Sequence, residues 1–185
     1  MVTKESGQYL VEIAKKAILT YLDEGRKIEI PKDCPEELKE KLGVFVTLNK
    51  NEMLRGCIGY PEPVETAIQA TINVAISAAF EDPRFNPLIK EEYDDITLEV
   101  TVLTKPEILE VDDPQEYLDK IEIEKDGLII QKGFSRGLLL PQVATENNMN
   151  VEEFLEHTCM KAGISSDSRL DASCDVYTFQ GQIFK

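Results

Sequence analysis

Apolar side chains recur along the chain at two spacings, one typical of helices and the other of strands. The helical spacing covers three long segments, and two shorter helices are predicted after prolines. The predicted helices cover residues 9–22, 35–42, 63–80, 114–120 and 151–162. Gly25 and Gly163 follow the first and the last of these segments, and glycine at such positions is typical of helix ends.

Strand-like alternation or short apolar runs fill much of the remaining chain. The predicted strands cover residues 43–48, 52–58, 95–102, 121–124, 128–131, 133–141 and 175–184. Two turn signals predict hairpins, one at residues 49–51 and one at Lys125-Asp126-Gly127. Helices and hairpins are mixed without a repeating strand-helix order. The pattern therefore predicts an α+β fold, with a mainly antiparallel β-sheet and flanking helices.

The composition is that of a globular protein with a strong acidic excess. Hydrophobic residues make up 42% of the 185 residues, charged residues make up 30%, and the formal net charge is −15. A chain of this charge repels phosphate backbones and anionic lipid surfaces. The sequence therefore argues against direct nucleic-acid binding and against a membrane, although a local basic pocket can still attract a small anion.

The cysteines and the N-terminal residues indicate the cellular compartment. Cys34, Cys57, Cys159 and Cys174 are scattered, and with the single histidine, His157, they match no zinc template and no dense disulfide framework. The first residues lead into an amphipathic segment rather than an apolar signal core. We therefore expect a cytoplasmic protein with reduced thiols and no metal site.

The strongest candidate site lies at residues 54–60, which read Leu-Arg-Gly-Cys-Ile-Gly-Tyr. Strand alternation predicts that Arg55 and Cys57 share one face, whereas Leu54 and Gly56 share the other. A cation beside a sulfur favours the thiolate, so Cys57 is the candidate catalytic nucleophile. The alternative is that Cys57 is a small buried hydrophobic residue.

Two glycines and a second arginine predict a ligand-binding role near this segment. Gly56 and Gly59 weaken a strand unless another group approaches the backbone closely, and they leave room for a substrate. Arg84 follows the long helix at residues 63–80, in a loop that two prolines stiffen. It is a candidate anion clamp, and the alternative is an ion pair with Asp82 or another carboxylate.

His157 lies on the helix predicted at residues 151–162, away from the apolar stripe of that helix. One interpretation pairs His157 with Cys57 as general base and thiolate. The alternative is a histidine on the surface or at an interface between lobes. The sequence contains no phosphate loop and no GxGxxG, HExxH or GxSxG motif, so it does not support the common nucleotide-dependent and serine-hydrolase mechanisms.

Four segments occur in a recognisable order. They are Leu-Arg-Gly-Cys-Ile-Gly-Tyr at residues 54–60, Asp-Pro-Arg-Phe at 82–85, Leu-Leu-Pro-Gln-Val at 139–143, and the stretch from Phe154-Leu155 to Lys161-Ala162-Gly163. Together they resemble the AMMECR domain family, which is named after a human chromosomal region linked to Alport syndrome, midface hypoplasia and elliptocytosis. The resemblance covers nearly the whole chain and is to the archaeal single-domain members.

The resemblance implies one domain over residues 1–185, folded in two unequal lobes, with the smaller lobe built from parts of about residues 105–145. It implies residues 54–59 as the functional segment, but no established activity and no particular cofactor. Roles near transcription, replication, repair or translation have been suggested for the family. In some bacteria a similar domain is joined to a Memo-type domain and associated with a radical-SAM protein. A Memo-type protein is therefore an implied partner.

Two functional hypotheses follow. In the first, a cleft at residues 54–59 binds a small, anionic ligand, and Cys57 is reactive. Its ligand-binding residues are Arg55, Gly56, Gly59, Arg84 and His157. In the second, the segment is a rigid element of a non-enzymatic protein-interaction or regulatory module. That hypothesis predicts an ordinary or buried thiol and an exposed apolar patch.

Overall fold

The computed structural model describes residues 1–171 and 173–185. The chain folds into two compact units. The first consists of Met1–Leu103 and Gln182–Lys185, and the second of Thr104–Gly181. Each unit combines antiparallel strands with helices. The predicted α+β fold with two unequal lobes is therefore confirmed.

The first unit is a three-stranded antiparallel sheet with two long helices packed against it. Its elements in chain order are α1 (Lys4–Glu24), β1 (Val44–Lys50), β2 (Met53–Tyr60), α2 (Ala67–Phe80) and β3 (Ile96–Leu103), with 3-10 turns at Glu36–Lys39 and Lys90–Asp95. The strand order is β2-β1-β3, so β2 lies at one edge of this sheet. Both helices contact each other and the sheet, and their apolar faces form one core with it.

Local sequence explains where these two helices begin and end. The Thr3 hydroxyl accepts the Ser6 N–H at the start of α1, and Gly25 ends that helix at φ 66°, as predicted. The helix predicted from residue 63 instead begins at Ala67, because the Thr66 hydroxyl accepts the Gln69 N–H and caps it there.

The two faces of the first sheet differ in polarity. On β1, the side chains of Val44, Val46 and Leu48 are fully buried against the helices. Phe45 and Thr47 alternate with them and are half-buried on the opposite face. The alternation predicted for residues 95–102 is found on β3 as well. The Cys57 thiol lies on this semi-polar face.

A β-bulge interrupts the strand that carries the candidate site. Leu48 lies opposite Gly56, but the next residue of β1, Asn49, lies opposite Leu54. Arg55 is therefore an extra residue without a direct partner on β1. The prediction that Leu54 and Gly56 share a face is wrong, because this extra residue shifts the alternation by one position.

The second unit is a second antiparallel sheet with short helices. Its elements are β4 (Glu107–Ile108), α3 (Tyr117–Lys120), β5 (Asp126–Lys132), β6 (Ser135–Leu139), α4 (Pro141–Glu146), α5 (Val151–Lys161) and β7 (Asp175–Phe184), with 3-10 turns at Pro114–Glu116 and Ser166–Leu170. The strand order is β4-β7-β5-β6. The α5 helix packs on β5 and β6 and has an Asn150 capping box.

The hairpin predicted around Lys125-Asp126-Gly127 is wrong. Asp126 begins β5, and its carboxylate accepts the Glu122 N–H at 2.9 Å, which closes a turn before the strand. A Cβ on Gly127 would lie 2.3 Å from the Phe179 ring, so packing rather than a turn requires glycine there. The actual hairpin joins β5 to β6 through Gly133, which has φ 59°.

No helix within residues 1–171 and 173–185 has the length and apolar character needed to cross a membrane.

Candidate functional site

The Cys57 thiol lies in a polar row across the three strands of the first sheet. Cys57 on β2 is opposite Thr47 on β1, and Thr47 is opposite Glu99 on β3. The Thr47 hydroxyl donates a hydrogen bond to the Cys57 sulfur, with 3.2 Å between Oγ1 and Sγ. All three residues are half-buried. Cys57 is thus neither a core residue nor a freely exposed one.

The two glycines of the segment allow close packing within the first unit. A Cβ on Gly56 would lie 2.2 Å from the carbonyl oxygen of Ala78, near the end of α2. A Cβ on Gly59 would lie 2.2 Å from the ring of Phe45, its neighbour on β1. Neighbours already fill the space beside both glycines, which accounts for glycine at these positions. Their ligand-binding role stays a prediction.

Arg55 pairs with a carboxylate that comes from a distant part of the chain. Its Nη2 lies 2.9 Å from Oε2 of Glu92 and also donates to the Asn86 carbonyl at 3.0 Å. Hydrogen bonds from Arg55 and then from Lys50 lower the pKa of Glu92 to about 2. The Arg55 side chain is only 13% exposed. The guanidinium that was predicted to favour the Cys57 thiolate is therefore already paired with Glu92.

Arg84 and Asp82 form a clamp on the backbone of Cys57, which we call the Asp82–Arg84 clamp. Arg84 Nη2 lies 2.7 Å from Asp82 Oδ2, and Nε lies 3.0 Å from Oδ1. The same carboxylate accepts the Cys57 N–H at 2.9 Å, and Arg84 Nη2 donates to the Cys57 carbonyl at 3.2 Å. The Asp82 and Arg84 side chains thus satisfy the backbone N–H and carbonyl of Cys57, in the way that a neighbouring strand would at this sheet edge.

The clamp bears on the two interpretations of Arg84. The ion pair with Asp82 is confirmed, whereas the role of Arg84 as an anion ligand stays a prediction. The hydrogen bond from Arg84 is the largest cause that holds the pKa of Asp82 well below its ordinary value. The Asp82 side chain is 2% exposed and that of Arg84 is 53% exposed, so the carboxylate is buried beneath a cation that reaches solvent.

The two arginines meet at an aromatic ring. The guanidinium carbon of Arg55 lies 6.0 Å from the centroid of the Phe85 ring, and that of Arg84 lies 5.5 Å from it. The three side chains line an open pocket of about 500 Å³ together with Asn86, Pro87, Ile89 and Glu92. This pocket is called the Phe85 pocket below.

His157 lies on the exposed side of α5, in the second unit. Its predicted pairing with Cys57 and its ligand-binding role stay predictions. Within the part of the chain that the structure describes, no group of three or more histidine, cysteine or acidic side chains is placed to hold a metal ion.

Sequence reasoning missed Thr47 and Glu92, and it missed how the loop of residues 82–85 contacts β2. Thr47 had a weak signal, since it stands at a polar position in an otherwise apolar strand. Asp82 and Phe85 flank Arg84 in the loop, so their proximity to it was visible but not their contact with β2. Glu92 had no distinguishing signal, because it lies in the acidic run of residues 91–95.

The fold and the cluster define a two-unit α+β protein with a thiol- and arginine-bearing edge strand. The chain belongs to the AMMECR1 family, whose family model matches residues 11–184. This assignment confirms the family resemblance of the sequence.

Individual relatives agree with this assignment. The chain is 52% identical over 182 residues to a protein of Methanothermobacter thermautotrophicus, covering 98% of this chain and 95% of that protein. A Methanopyrus kandleri protein is 49% identical over 186 residues, with 99% and 89% covered. The crystal structure of the uncharacterized protein PH0010 from Pyrococcus horikoshii matches with a TM-score of 0.79 and 49% identity, over 98% of this chain and 92% of that chain. All three relatives are archaeal, and none is named for an activity.

Proposed function

We propose that the first unit binds a small ligand with an anionic group in the Phe85 pocket, beside residues 54–59, and that Cys57 is a reactive thiol next to this site. The observation that carries the proposal is the convergence of Arg55 and Arg84 on one aromatic ring in one pocket. Guanidinium groups recognise carboxylates and phosphates, and an aromatic ring offers a flat apolar surface. The ligand class is therefore an anion with a planar or apolar part.

Both arginines are held in place before any ligand arrives. Arg55 uses two Nη2 donors as described above and donates from Nε to Glu92 Oε1 at 3.5 Å, which makes three, and Arg84 also uses three N–H donors. A guanidinium has five donors, so both side chains keep the capacity to bind an anion. Because Glu92 and Asp82 fix the two guanidinium planes, binding loses little side-chain entropy. Each arginine is paired with one carboxylate, so these four charged side chains sum to zero within a chain of net charge −15.

A titration with small aromatic anions tests the binding proposal. Phenyl phosphate is expected to shift the amide resonances of residues 84–86 in ¹⁵N–¹H spectra, with a dissociation constant of about 1 mM or lower. Benzyl alcohol, which lacks the charge, is expected to bind much more weakly, since the arginines then gain no anionic partner. Added salt is expected to weaken phenyl phosphate binding.

Two variants make this titration specific. Phe85→Leu removes the ring but keeps an apolar side chain, and is expected to reduce the affinity several-fold. Arg26→Gln is the matched control, because Arg26 is an exposed arginine of the first unit whose ion-pair partner is Glu24. Equal binding of the neutral and charged probes, or equal loss in both variants, would contradict the proposal.

The reactivity of Cys57 is tested separately by timed alkylation. At pH 8, iodoacetamide is expected to modify Cys57 at least about tenfold faster than the other three cysteines. Cys34, Cys159 and Cys174 are buried, and burial raises the pKa of each, that of Cys159 to about 11. Mass spectrometry of the peptides at successive times gives the four rates.

The control for the alkylation is the protein unfolded in urea, in which the four rates should converge. If a buried cysteine of the native protein reacts as fast as Cys57, the proposed reactive thiol has to be abandoned.

The second candidate is a protein-interaction module, with a Memo-type protein as the partner that the family resemblance implies. It is supported by apolar side chains that reach solvent in the first unit: Met53 is 69% exposed, Leu54 42% and Ile89 55%. Such a module needs no small anion. A phenyl phosphate titration without shifts in the Phe85 pocket would favour this candidate over the first.

A further inference from the structure

The wall of the Phe85 pocket carries charges of both signs. Arg55, Arg84 and Glu92 line the pocket, whereas Asp82, the ion-pair partner of Arg84, does not. The Asp82 side chain is 2% exposed and that of Glu92 is 21% exposed. A ligand in the pocket therefore meets two guanidinium groups and one carboxylate, because the second carboxylate is buried beneath Arg84.

Both arginines keep the same nitrogen available. The hydrogen bonds of Arg55 and those of Arg84 use Nε and Nη2. Among the residues that the structure describes, no group accepts a hydrogen bond from Nη1 of either side chain. Each Nη1 carries two N–H donors, which suit a carboxylate or a phosphate. Each arginine therefore has donors left for an anionic group.

The two arginines nevertheless offer different electrostatic surroundings to that group. The counter-charge of Arg84 is buried, whereas Glu92 lines the pocket beside Arg55. Hydrogen bonds from Arg55 and Lys50 hold the pKa of Glu92 at about 2, so this carboxylate is ionised near neutral pH. Its negative charge repels an anion that approaches Arg55. We therefore expect the anionic group of a ligand at Arg84.

The Glu92 carboxylate can accept one further hydrogen bond. Its Oε1 accepts from Lys50 Nζ at 3.1 Å and from Arg55 Nε at 3.5 Å. Among the described groups, Oε2 accepts only from Arg55 Nη2, at 2.9 Å. A carboxylate oxygen has two lone pairs, so one on Oε2 is unused. Lys50 does not serve Glu92 alone, since its Nζ also lies 3.8 Å from Asp95 Oδ2.

We propose that Glu92 is a specificity-determining residue of the Phe85 pocket and selects zwitterionic ligands. The anionic group of such a ligand binds Arg84, its planar part contacts the Phe85 ring, and its protonated amine donates to Glu92 Oε2. Both guanidinium carbons lie within 6.0 Å of the ring centroid, so a ligand with a single aromatic ring can contact both ends. This selectivity rests on the proposed function, since it requires an anion to bind in the same pocket.

Three probes that share a methylbenzene framework test this selectivity on the full chain. At pH 7, 4-(aminomethyl)benzoate is a zwitterion, 4-methylbenzoate carries only the anion, and benzylamine carries only the cation. The zwitterion is expected to bind about fivefold more tightly than 4-methylbenzoate, because it adds a charged hydrogen bond to Glu92. Benzylamine is expected to bind most weakly. Shifts of the amide resonances of residues 84–86 in ¹⁵N–¹H spectra measure the three affinities.

Two variants assign the preference to one carboxylate. Glu92→Gln keeps a side-chain carbonyl that can accept from Arg55 but removes the negative charge, and it is expected to abolish the preference for the zwitterion. Glu91→Gln is the matched control and should keep it, since Glu91 is exposed and does not line the pocket. Should Glu92→Gln fail to fold, the order of the three probes on the unmodified chain still decides.

The outcomes separate this selectivity from the anion site itself. Equal affinities for the zwitterion and 4-methylbenzoate overturn the selectivity but leave anion binding in place. A preference that persists in Glu92→Gln also overturns it, because another group is then responsible. If none of the three probes shifts the resonances of residues 84–86, both the selectivity and the proposed anion site are overturned.

Discussion

Replacing Gly56 by alanine is expected to destabilise the protein by about 3 kcal/mol. The new methyl group would lie 2.2 Å from the Ala78 carbonyl oxygen and 3.2 Å from its carbonyl carbon. Both atoms belong to the backbone of α2, so no side-chain rotation can relieve the clash. Either β2 or the end of α2 must move, and the core between them loses its packing. Urea unfolding followed by circular dichroism measures the change.

Gly25→Ala is the matched control for this prediction. Gly25 lies in the same unit at φ 66°, and nothing lies within 4 Å of the added methyl group. The same substitution there costs only the left-handed backbone strain, about 1 kcal/mol. If Gly56→Ala is no more damaging than Gly25→Ala, then the close approach of β2 and α2 does not constrain the segment.

Removing the cation of the Asp82–Arg84 clamp is expected to have a comparably large effect. Arg84→Met should destabilise the protein by about 3 kcal/mol at pH 7, because it leaves the buried Asp82 carboxylate without its counter-charge. Asp82→Ala should cost less, about 2 kcal/mol, since the Arg84 side chain is 53% exposed and can be hydrated. Removing both should therefore cost less than the sum of the two.

The pH dependence of this effect has a defined sign. Arg84 lowers the pKa of Asp82 in the folded protein, so its stabilising effect is complete above the pKa of an unfolded aspartate, about 3.9. The effect is lost progressively as the pH falls from that value through the lower pKa of the folded Asp82 carboxylate. The difference between the unmodified protein and Arg84→Met is therefore expected to shrink below about pH 4.

A surface ion pair supplies the control for the clamp. Arg26 and Glu24 lie 2.6 Å apart, but their side chains are 61% and 51% exposed. Arg26→Met is expected to change the free energy of unfolding by no more than about 0.5 kcal/mol. Equal effects of Arg26→Met and Arg84→Met, or a pH-independent loss in Arg84→Met, would contradict the structural role given to the clamp.

If these predictions hold, they change how the family segment at residues 54–59 is understood. Gly56 and Gly59 are explained by packing against Ala78 and Phe45. The Asp82–Arg84 clamp holds the backbone of Cys57, because Asp82 accepts the Cys57 N–H and Arg84 donates to the Cys57 carbonyl. The side chains left to act outward are Arg55, bound to Glu92, and the half-buried Cys57 thiol. Chemistry at the segment therefore depends on residues that are distant in sequence.

The regular spacing of apolar residues located several helices and strands correctly. The helix at residues 9–22, the helix at 151–162 and the strand at 95–102 were all found, because burial of one face imposes a regular spacing. The hairpin around Asp126 was misplaced because a Lys-Asp-Gly triplet also fits the start of a strand. Its glycine is required by the Phe179 ring, which comes from β7.

The sequence by itself determined the family, the α+β class and the segment that carries the thiol and the first arginine, since these depend on residue identity and local spacing. Only the tertiary structure decided which charges meet. Cys57 and Asp82 are 25 positions apart, and Arg55 and Glu92 are 37 apart. Nothing in local spacing selects one carboxylate among 35 acidic residues. The fold sets these pairings, because the chain after α2 runs along the edge of β2. The same course brings both arginines to the Phe85 ring.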